Sequence, residues 1–163
     1  MRKHIEINLG KACNNKCSFC MIKNGISLDF PSIDAIKKEM KRYASQGFNS
    51  IGFLGGEPTI HPDIVKIISY ARESGFTSIH IVSNGRMYSN NAFLKKIIEA
   101  GVTRFSVSIH SHIPKVEDSL THVKGGFKQK IQGLKNLVKY KEDGLIKEEI
   151  ALNIVINKKN YNA

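Results

Sequence analysis

A repeated segment constrains the fold of this chain more than any other sequence feature. Three times, a glycine is followed by an apolar residue, two polar residues and the first apolar residue of a strand pattern; these segments begin at Gly47, Gly75 and Gly101. Glycine accepts the left-handed backbone conformation that ends many helices. The intervals are close to the roughly 30 residues of one strand-and-helix unit. The repeat therefore predicts an α/β chain in which helices cover a parallel sheet.

Hydrophobic periodicity gives the number of elements. Strand patterns cover residues 5–9, 51–54, 79–82, 105–109 and 150–156, and four helical faces separate them, around Ile36, Ile67, Ile97 and Leu134. A closed barrel of eight such units takes about 250 residues, whereas this chain has 163. The pattern predicts a single domain over 1–163, built either as an open doubly wound sheet or as a partial, curved barrel.

Composition and charge narrow the function classes. No apolar run approaches the ~20 residues of a membrane helix, and the first residues do not have the pattern of a signal peptide. We therefore expect a cytoplasmic protein with no membrane partner. The 25 Lys and Arg residues exceed the 14 Asp and Glu residues, for a formal net charge of +11. This excess makes RNA a candidate partner, although the lysines are spread over the predicted helices, which is typical of a solvated surface.

The three cysteines of the chain, Cys13, Cys17 and Cys20, all lie in one eight-residue window directly after the first predicted strand. An odd number excludes complete internal disulfide pairing, and parallel α/β folds build their sites at the carboxyl ends of strands. Three thiolates suit three corners of a [4Fe–4S] cube and leave one iron open to another ligand. The alternative is a zinc site completed by a histidine of the 110–122 segment.

The spacing CxxxCxΦC, in which Phe19 is the aromatic residue, resembles the signature of the radical S-adenosylmethionine (radical SAM) enzymes. Gly55-Gly56-Glu57-Pro58 follows the second predicted strand and looks like the GGEP motif of that family. Ser83-Asn84-Gly85 follows the third strand and is similar to the family's TNG-like segment. The region 108–127 resembles its peptide-modifying and cofactor-maturing branches. The chain is thus identified as a radical SAM core domain with a partial TIM-like barrel of about five strands.

The resemblance implies a role for each matched residue. Cys13, Cys17 and Cys20 would bind the [4Fe–4S] cluster. The GGEP segment would hold the methionine moiety of S-adenosylmethionine: its two glycines would admit the backbone, Glu57 would accept a hydrogen bond from the amino group, and Pro58 would stiffen the turn. Phe19 would pack near the adenine. The complete set of expected cofactor-binding residues is Phe19, Gly55, Gly56, Glu57, Pro58, Ser83, Asn84, Ser108 and Asn153.

The implied activity is an oxidoreductase chemistry. The family cleaves S-adenosylmethionine reductively at its [4Fe–4S] cluster, and the resulting 5′-deoxyadenosyl radical abstracts hydrogen from a substrate. A low-potential electron donor of the flavodoxin or ferredoxin type would be a partner. The 108–127 region favours a peptide or protein substrate.

Two further expectations concern the end of the barrel and a competing function. No sixth strand pattern follows residue 156, so we expect the chain to lack the C-terminal part of the barrel. The competing function is a non-catalytic iron–sulfur or zinc module, which would act as a redox sensor or an RNA-binding domain. Binding of S-adenosylmethionine distinguishes the enzyme from such a module.

Overall fold

Five parallel strands form one sheet in the computed structural model, which describes residues 1–22 and 30–162. The strands are β1 (His4–Asn8), β2 (Ser50–Leu54), β3 (Ser78–Ser83), β4 (Arg104–Ser108) and β5 (Ile150–Asn153). Each strand pairs with the next one along the chain. A doubly wound sheet would reverse its strand order near the middle, and this sheet does not. The order therefore follows the barrel type, and within the described ranges the sheet is not closed.

Within the described residues, five α-helices accompany the sheet: α1 (Ile33–Ser45), α2 (Ile64–Glu73), α3 (Asn91–Ala100), α4 (Pro114–Thr121) and α5 (Gly126–Glu142). The four predicted helices correspond to α1, α2, α3 and α5. The sequence patterns did not predict α4, because this eight-residue helix buries Glu117 and Leu120 where a longer helix would carry an apolar stripe. Two short 3-10 helices, Pro58–Ile60 and Arg86–Ser89, follow β2 and β3.

The hydrophobic core lies between one face of the sheet and the helices. Alternate strand residues, among them Ile7, Phe53, Ile81 and Val107, are at most 1% exposed and belong to one continuous apolar cluster with residues of α1, α2, α3 and α5. The opposite face of the sheet is polar. There His80 of β3 contacts Ser106 of β4 through a 2.9 Å hydrogen bond. The helices therefore cover a single face, as they do in a barrel wall.

The fifth strand is shorter than predicted. The pattern 150–156 predicted strand through Ile156, whereas β5 ends at Asn153. The reason lies in its neighbour: Asn153 pairs with Ser108, which is the last residue of β4. Beyond that point the chain has no strand to pair with, and Ile154 and Ile156 are 59% and 76% exposed.

No helix within the described ranges combines the length and the apolar character needed to cross a membrane.

Candidate metal and cofactor site

The carboxyl ends of β1 to β4 bring four loops to one edge of the sheet. The longest is the cysteine loop, which we define as residues 10–22. The GGEP segment and the Ser83–Arg86 segment form hydrogen bonds with it and with one another. The loop after β4 contacts the cysteine loop through the rings of His110 and Phe19. This is the edge at which parallel α/β folds bind their ligands.

The three cysteines of this loop are unpaired and half-buried. The loop folds back on itself, since the amide of Cys20 donates to the carbonyl of Cys17 over 3.1 Å. Burial is the largest cause of a rise in the pKa of the Cys17 thiol to about 11; Lys130 opposes the rise, and the neighbouring Cys13 and Cys20 thiols add to it. The three thiols share one short loop, although the described residues contain no set of three His, Cys, Asp or Glu side chains arranged to hold a single metal ion.

The two glycines of the GGEP segment contact the cysteine loop directly. Gly55 has a φ of +135°, and a Cβ placed on it would lie 2.5 Å from the carbonyl oxygen of Gly10. A Cβ on Gly56 would collide with the carbonyl oxygens of Lys11 and Ala12. The amide of Gly56 donates to Gly10 over 2.8 Å. These glycines are thus needed for the close approach of two loops, while the predicted approach to S-adenosylmethionine stays a prediction.

Glu57 is buried, with 2% of its surface exposed. Its Oε1 accepts hydrogen bonds from the amide and hydroxyl of Thr59 and from the hydroxyl of Ser83, over 3.1, 2.5 and 2.8 Å. Its Oε2 accepts from the amide of Asn84 over 2.6 Å. Burial raises the pKa of Glu57, and these hydrogen bonds oppose the rise. The Glu57 carboxylate therefore forms these hydrogen bonds within the protein. Its expected contact with the amino group of S-adenosylmethionine stays a prediction. Its neighbour Pro58 is the first residue of a 3-10 helix.

Ser83 and Asn84, the expected ribose or carboxylate contacts, are also engaged within the protein. The Ser83 hydroxyl accepts from the amide of Gly85 over 2.9 Å. The Asn84 side chain donates to the Asn14 side chain over 2.6 Å, which ties the end of β3 to the cysteine loop. These bonds give both residues a structural task, and their contact with a cofactor remains a prediction.

The remaining predicted residues lie farther along the edge. The ring of Phe19 meets the ring of His110 edge-on, with 4.6 Å between centroids. His110, one of the histidines of the zinc alternative, accepts a hydrogen bond at Nδ1 from the amide of Val155. Ser108 and Asn153 are register partners on β4 and β5, with Ser108 half-buried and Asn153 exposed. These two residues lie at the ends of β4 and β5, and their contact with a cofactor stays a prediction.

The sequence analysis did not identify Arg86, which anchors the cysteine loop. Its Nη1 donates to the carbonyl oxygen of Asn14 and to Oδ1 of Asn15, over 2.5 and 2.9 Å. Its Nε donates to Gln129 of α5 over 2.6 Å. The only signal in the sequence was its position immediately after Ser83-Asn84-Gly85. The guanidinium fork thus connects three parts of the chain that are far apart in sequence.

A buried ion pair, also not predicted, supports the loop after β4. Glu117 and Lys130 are 0% and 1% exposed, and Lys130 Nζ lies 2.5 Å from Glu117 Oε1. Lys130 also donates to the carbonyl of Ser108 over 2.8 Å. The other carboxylate oxygen accepts from the amides of His110 and Ser111, over 2.7 and 2.9 Å. Every charge in this pair therefore has hydrogen-bond partners, which a buried pair requires.

Helix α4 completes the support of the cysteine loop. The amides of Lys16 and Ser18 donate to the carbonyls of Thr121 and Leu120 at the end of α4, over 3.0 and 2.9 Å. The loop is thus held on one side by the GGEP and Ser83–Arg86 segments and on the other side by α4. The backbone that carries the three thiols is therefore held in position by the rest of the fold.

Comparisons with known proteins agree with this geometry. The family model described as the Radical SAM superfamily matches residues 7–157. A probable GTP 3',8-cyclase of Saccharolobus islandicus is 29% identical over 160 residues, which are 96% of this chain and 48% of that protein. A GTP 3',8-cyclase of Limosilactobacillus fermentum is 28% identical over 162 residues, or 96% of this chain and 46% of its own. The chain spans about half the length of these relatives.

Solved structures show the same fold. SuiB of Streptococcus suis, bound to S-adenosylmethionine, has a TM-score of 0.74 at 20% identity and covers 96% of this chain and 35% of its own. HydG, a maturase of the [FeFe]-hydrogenase, has a TM-score of 0.66 at 15% identity, covering 98% and 37%. These proteins are partial TIM barrels, so the predicted fold is confirmed. The matched residues, the fold and the three thiols lead to one conclusion: this chain belongs to the radical SAM superfamily, a family of enzymes that use a [4Fe–4S] cluster and S-adenosylmethionine.

Proposed function

We propose that Cys13, Cys17 and Cys20 ligate a [4Fe–4S] cluster and that this chain is the S-adenosylmethionine-binding part of a radical enzyme. The observation that carries the proposal is that three half-buried, unpaired thiols lie on one short loop, which hydrogen bonds anchor to the GGEP and Ser83–Arg86 segments. Thiolates are the ligands of such clusters, and three of them leave one iron free for another ligand. When bound, the cluster and S-adenosylmethionine supply the one-electron chemistry of hydrogen abstraction.

The residues around the thiols would hold the cofactor and exclude water. The close packing of Gly55 and Gly56 against the cysteine loop would fix the GGEP backbone beside the thiols, where its peptide groups would bind the methionine moiety. Phe19, braced by His110, would cover the apolar part of the cofactor. Ser108 and Asn153 present a hydroxyl and an amide at the rim of the edge and would bind the polar groups of the cofactor.

The substrate is proposed at the level of its class. The relatives named as GTP 3',8-cyclases support a purine nucleotide, and the net charge of +11 suits a phosphorylated ligand. One structural neighbour, SuiB, has been solved with a precursor peptide. The 108–127 region also suggested a peptide, but the names of the relatives favour a nucleotide over a peptide. We therefore propose a purine nucleotide as the first substrate to test.

An external electron donor is the remaining requirement. A small, low-potential protein of the flavodoxin or ferredoxin type fits, because an acidic donor would be attracted by the basic surface of this chain. Raising the salt concentration should then slow reduction of the cluster by such a donor, since salt screens attraction between surface charges.

The proposal is tested by anaerobic reconstitution with iron and sulfide. The wild-type chain should bind four irons and four sulfides, show the electron paramagnetic resonance signal of a reduced [4Fe–4S] cluster, and bind S-adenosylmethionine. Cys13→Ser, Cys17→Ser and Cys20→Ser should each lose most of the cluster, whereas Lys95→Ala, an exposed charge on α3, should retain it. With dithionite, the loaded protein should release 5′-deoxyadenosine.

Two results would contradict the proposal. A colourless protein that takes up zinc in preference to iron would support the zinc module. A chain that forms the cluster but does not bind S-adenosylmethionine would support a non-catalytic iron–sulfur module, such as a redox sensor. Addition of GTP and, separately, of a peptide to the loaded protein then addresses the substrate: the substrate should increase the yield of 5′-deoxyadenosine.

A further inference from the structure

One buried donor in the cysteine loop has no use within the fold. The Nδ2 atom of Asn15 is buried and has no hydrogen-bond partner among the residues that the structure describes. Asn15 is 3% exposed and lies between Cys13 and Cys17 in sequence. An unpaired buried donor costs about 1–3 kcal/mol. Native proteins have few such groups, and each calls for an explanation, such as a ligand that satisfies it.

The orientation of this amide is set by Arg86. Its Nη1 donates to Oδ1 of Asn15 over 2.9 Å and to the backbone carbonyl of Asn14 over 2.5 Å. A guanidinium group has only donors, so the atom of Asn15 that faces Arg86 must be the oxygen. The NH2 group therefore points away from Arg86, and rotating the amide by 180° would place two donors against each other.

Asn15 lies beside the first of the three thiols. The backbone amide of Asn15 contacts Sγ of Cys13 over 3.4 Å. The backbone amide of Asn15 thus faces one thiol. Its side-chain NH2 group is buried in the same loop, between Cys13 and Cys17 in sequence, with no acceptor among the described residues.

We propose that the Asn15 side chain donates an Nδ2–H···S hydrogen bond to the sulfur shell of the bound cluster and thereby raises the cluster's reduction potential. Arg86 is its positioning residue. The inference rests on the proposed function, because it needs a cluster on Cys13, Cys17 and Cys20. Hydrogen bonds to the sulfurs are among the features that set the potential of a cluster. A donor stabilises the reduced form more, because that form carries one more negative charge.

The first test is a redox titration of the reconstituted protein without S-adenosylmethionine, followed by electron paramagnetic resonance. Asn15→Leu keeps the volume of the side chain and removes the donor. At the midpoint potential of the wild type, the ratio of reduced to oxidised cluster should fall about tenfold, which corresponds to about 59 mV for a one-electron couple. Arg86→Lys keeps the charge but loses the fork, and should shift the ratio in the same direction by a smaller factor. An unchanged midpoint in Asn15→Leu, at wild-type iron content, overturns the inference.

A second measurement has its decisive outcome in the wild-type protein. The wild-type protein is prepared with asparagine labelled with 15N at Nδ2, and pulsed electron paramagnetic resonance is recorded on the reduced cluster. We expect a 15N coupling that Asn14→Leu retains. Absence of the coupling in the wild type overturns the inference even if Asn15→Leu fails to bind iron. If the wild type itself forms no [4Fe–4S] cluster, the proposed function fails and this inference fails with it; if the cluster forms and binds S-adenosylmethionine without the coupling, only this inference fails.

Discussion

Glu57 and Glu117 are both buried carboxylates beside the cysteine loop, and the protein stabilises them in different ways. Glu57 accepts hydrogen bonds only from neutral groups, namely two amides and two hydroxyls. Glu117 is paired with the buried ammonium of Lys130 and also accepts from two backbone amides. One carboxylate is thus surrounded by dipoles of the chain, and the other is neutralised by an opposite charge.

This difference predicts that the two carboxylates respond differently to protonation and to substitution of their neighbours. A carboxylate held by neutral donors can take up a proton and become neutral without leaving a charge behind. A carboxylate in a buried ion pair depends on its partner, because removal of that partner leaves an uncompensated charge in a low-dielectric interior. The cysteine loop is connected to both: its Ala12 carbonyl accepts from the amide of Glu57, and its amides of Lys16 and Ser18 donate to the end of the helix that carries Glu117. Substitution of either glutamate should therefore disturb the cysteine loop.

The largest effect is expected from Lys130→Met. This change leaves the Glu117 charge buried without its partner, which should lower the free energy of unfolding by about 3–5 kcal/mol. The double variant Lys130→Met, Glu117→Gln is the matched control, because the Gln carbonyl can still accept from the His110 and Ser111 amides while the charge is gone. Urea denaturation should show that the double variant is more stable than Lys130→Met. A double variant no more stable than the single one would show that charge is not the cause.

An intermediate effect is expected from Glu57→Gln. The new NH2 group must face a backbone amide that can only donate, either that of Asn84 or that of Thr59, so we expect a loss of about 1–3 kcal/mol in urea denaturation. Glu57→Ala, which leaves all four donors without an acceptor, is the matched comparison and should lose more. Equal stability of wild type and Glu57→Gln would mean that Glu57 is already neutral and that these donors rearrange freely.

The environment of Glu57 can also be tested by pH. Burial raises the pKa of Glu57 above that of an unfolded glutamate, near 4.5, so the folded chain binds this proton more tightly than the unfolded chain does. Its contribution to the free energy of unfolding is complete below that value and is lost as the pH rises through the raised pKa. The difference in stability between wild type and Glu57→Gln should therefore fall with rising pH over this interval. A difference that grows with pH would contradict the direction of the shift.

The smallest effect is expected from a third buried titratable group, His80 on the polar face of the sheet. Burial, aided by the nearby Arg104 and His4, lowers the pKa of His80 from 6.5 to about 4. Between these two pH values His80 is protonated in the unfolded chain and neutral in the folded chain. The free energy of unfolding therefore decreases as the pH falls from about 6.5 to about 4. His80→Gln, which can still bond to Ser106, should weaken this loss in pH-dependent denaturation. An unchanged pH profile would show that His80 has the same pKa in the folded and unfolded chains, which would contradict the lowered pKa.

The sequence also predicted the position of Glu57 better than that of Glu117. Glu57 lies in a contiguous motif after a strand pattern, so its place beside the site could be predicted, although its four donors could not: Ser83 and Asn84 are 26 and 27 residues away. Glu117 lies in a helix too short and polar for periodicity to reveal. Its partner Lys130 is one of many lysines in a helical pattern, and the sequence contains nothing that marks it as buried.

By itself, the sequence determined the alternation of strands and helices, the parallel sheet and the cysteine loop as the candidate site, because each of these depends on residues within one turn, one strand or one loop of each other. The tertiary structure alone decided what holds that loop in place. Arg86 reaches Asn14 and Asn15 from 72 and 71 residues away, and β5 ends where β4 provides no further partner. Such contacts depend on which strand ends meet at one edge of the sheet, and local spacing does not carry that information.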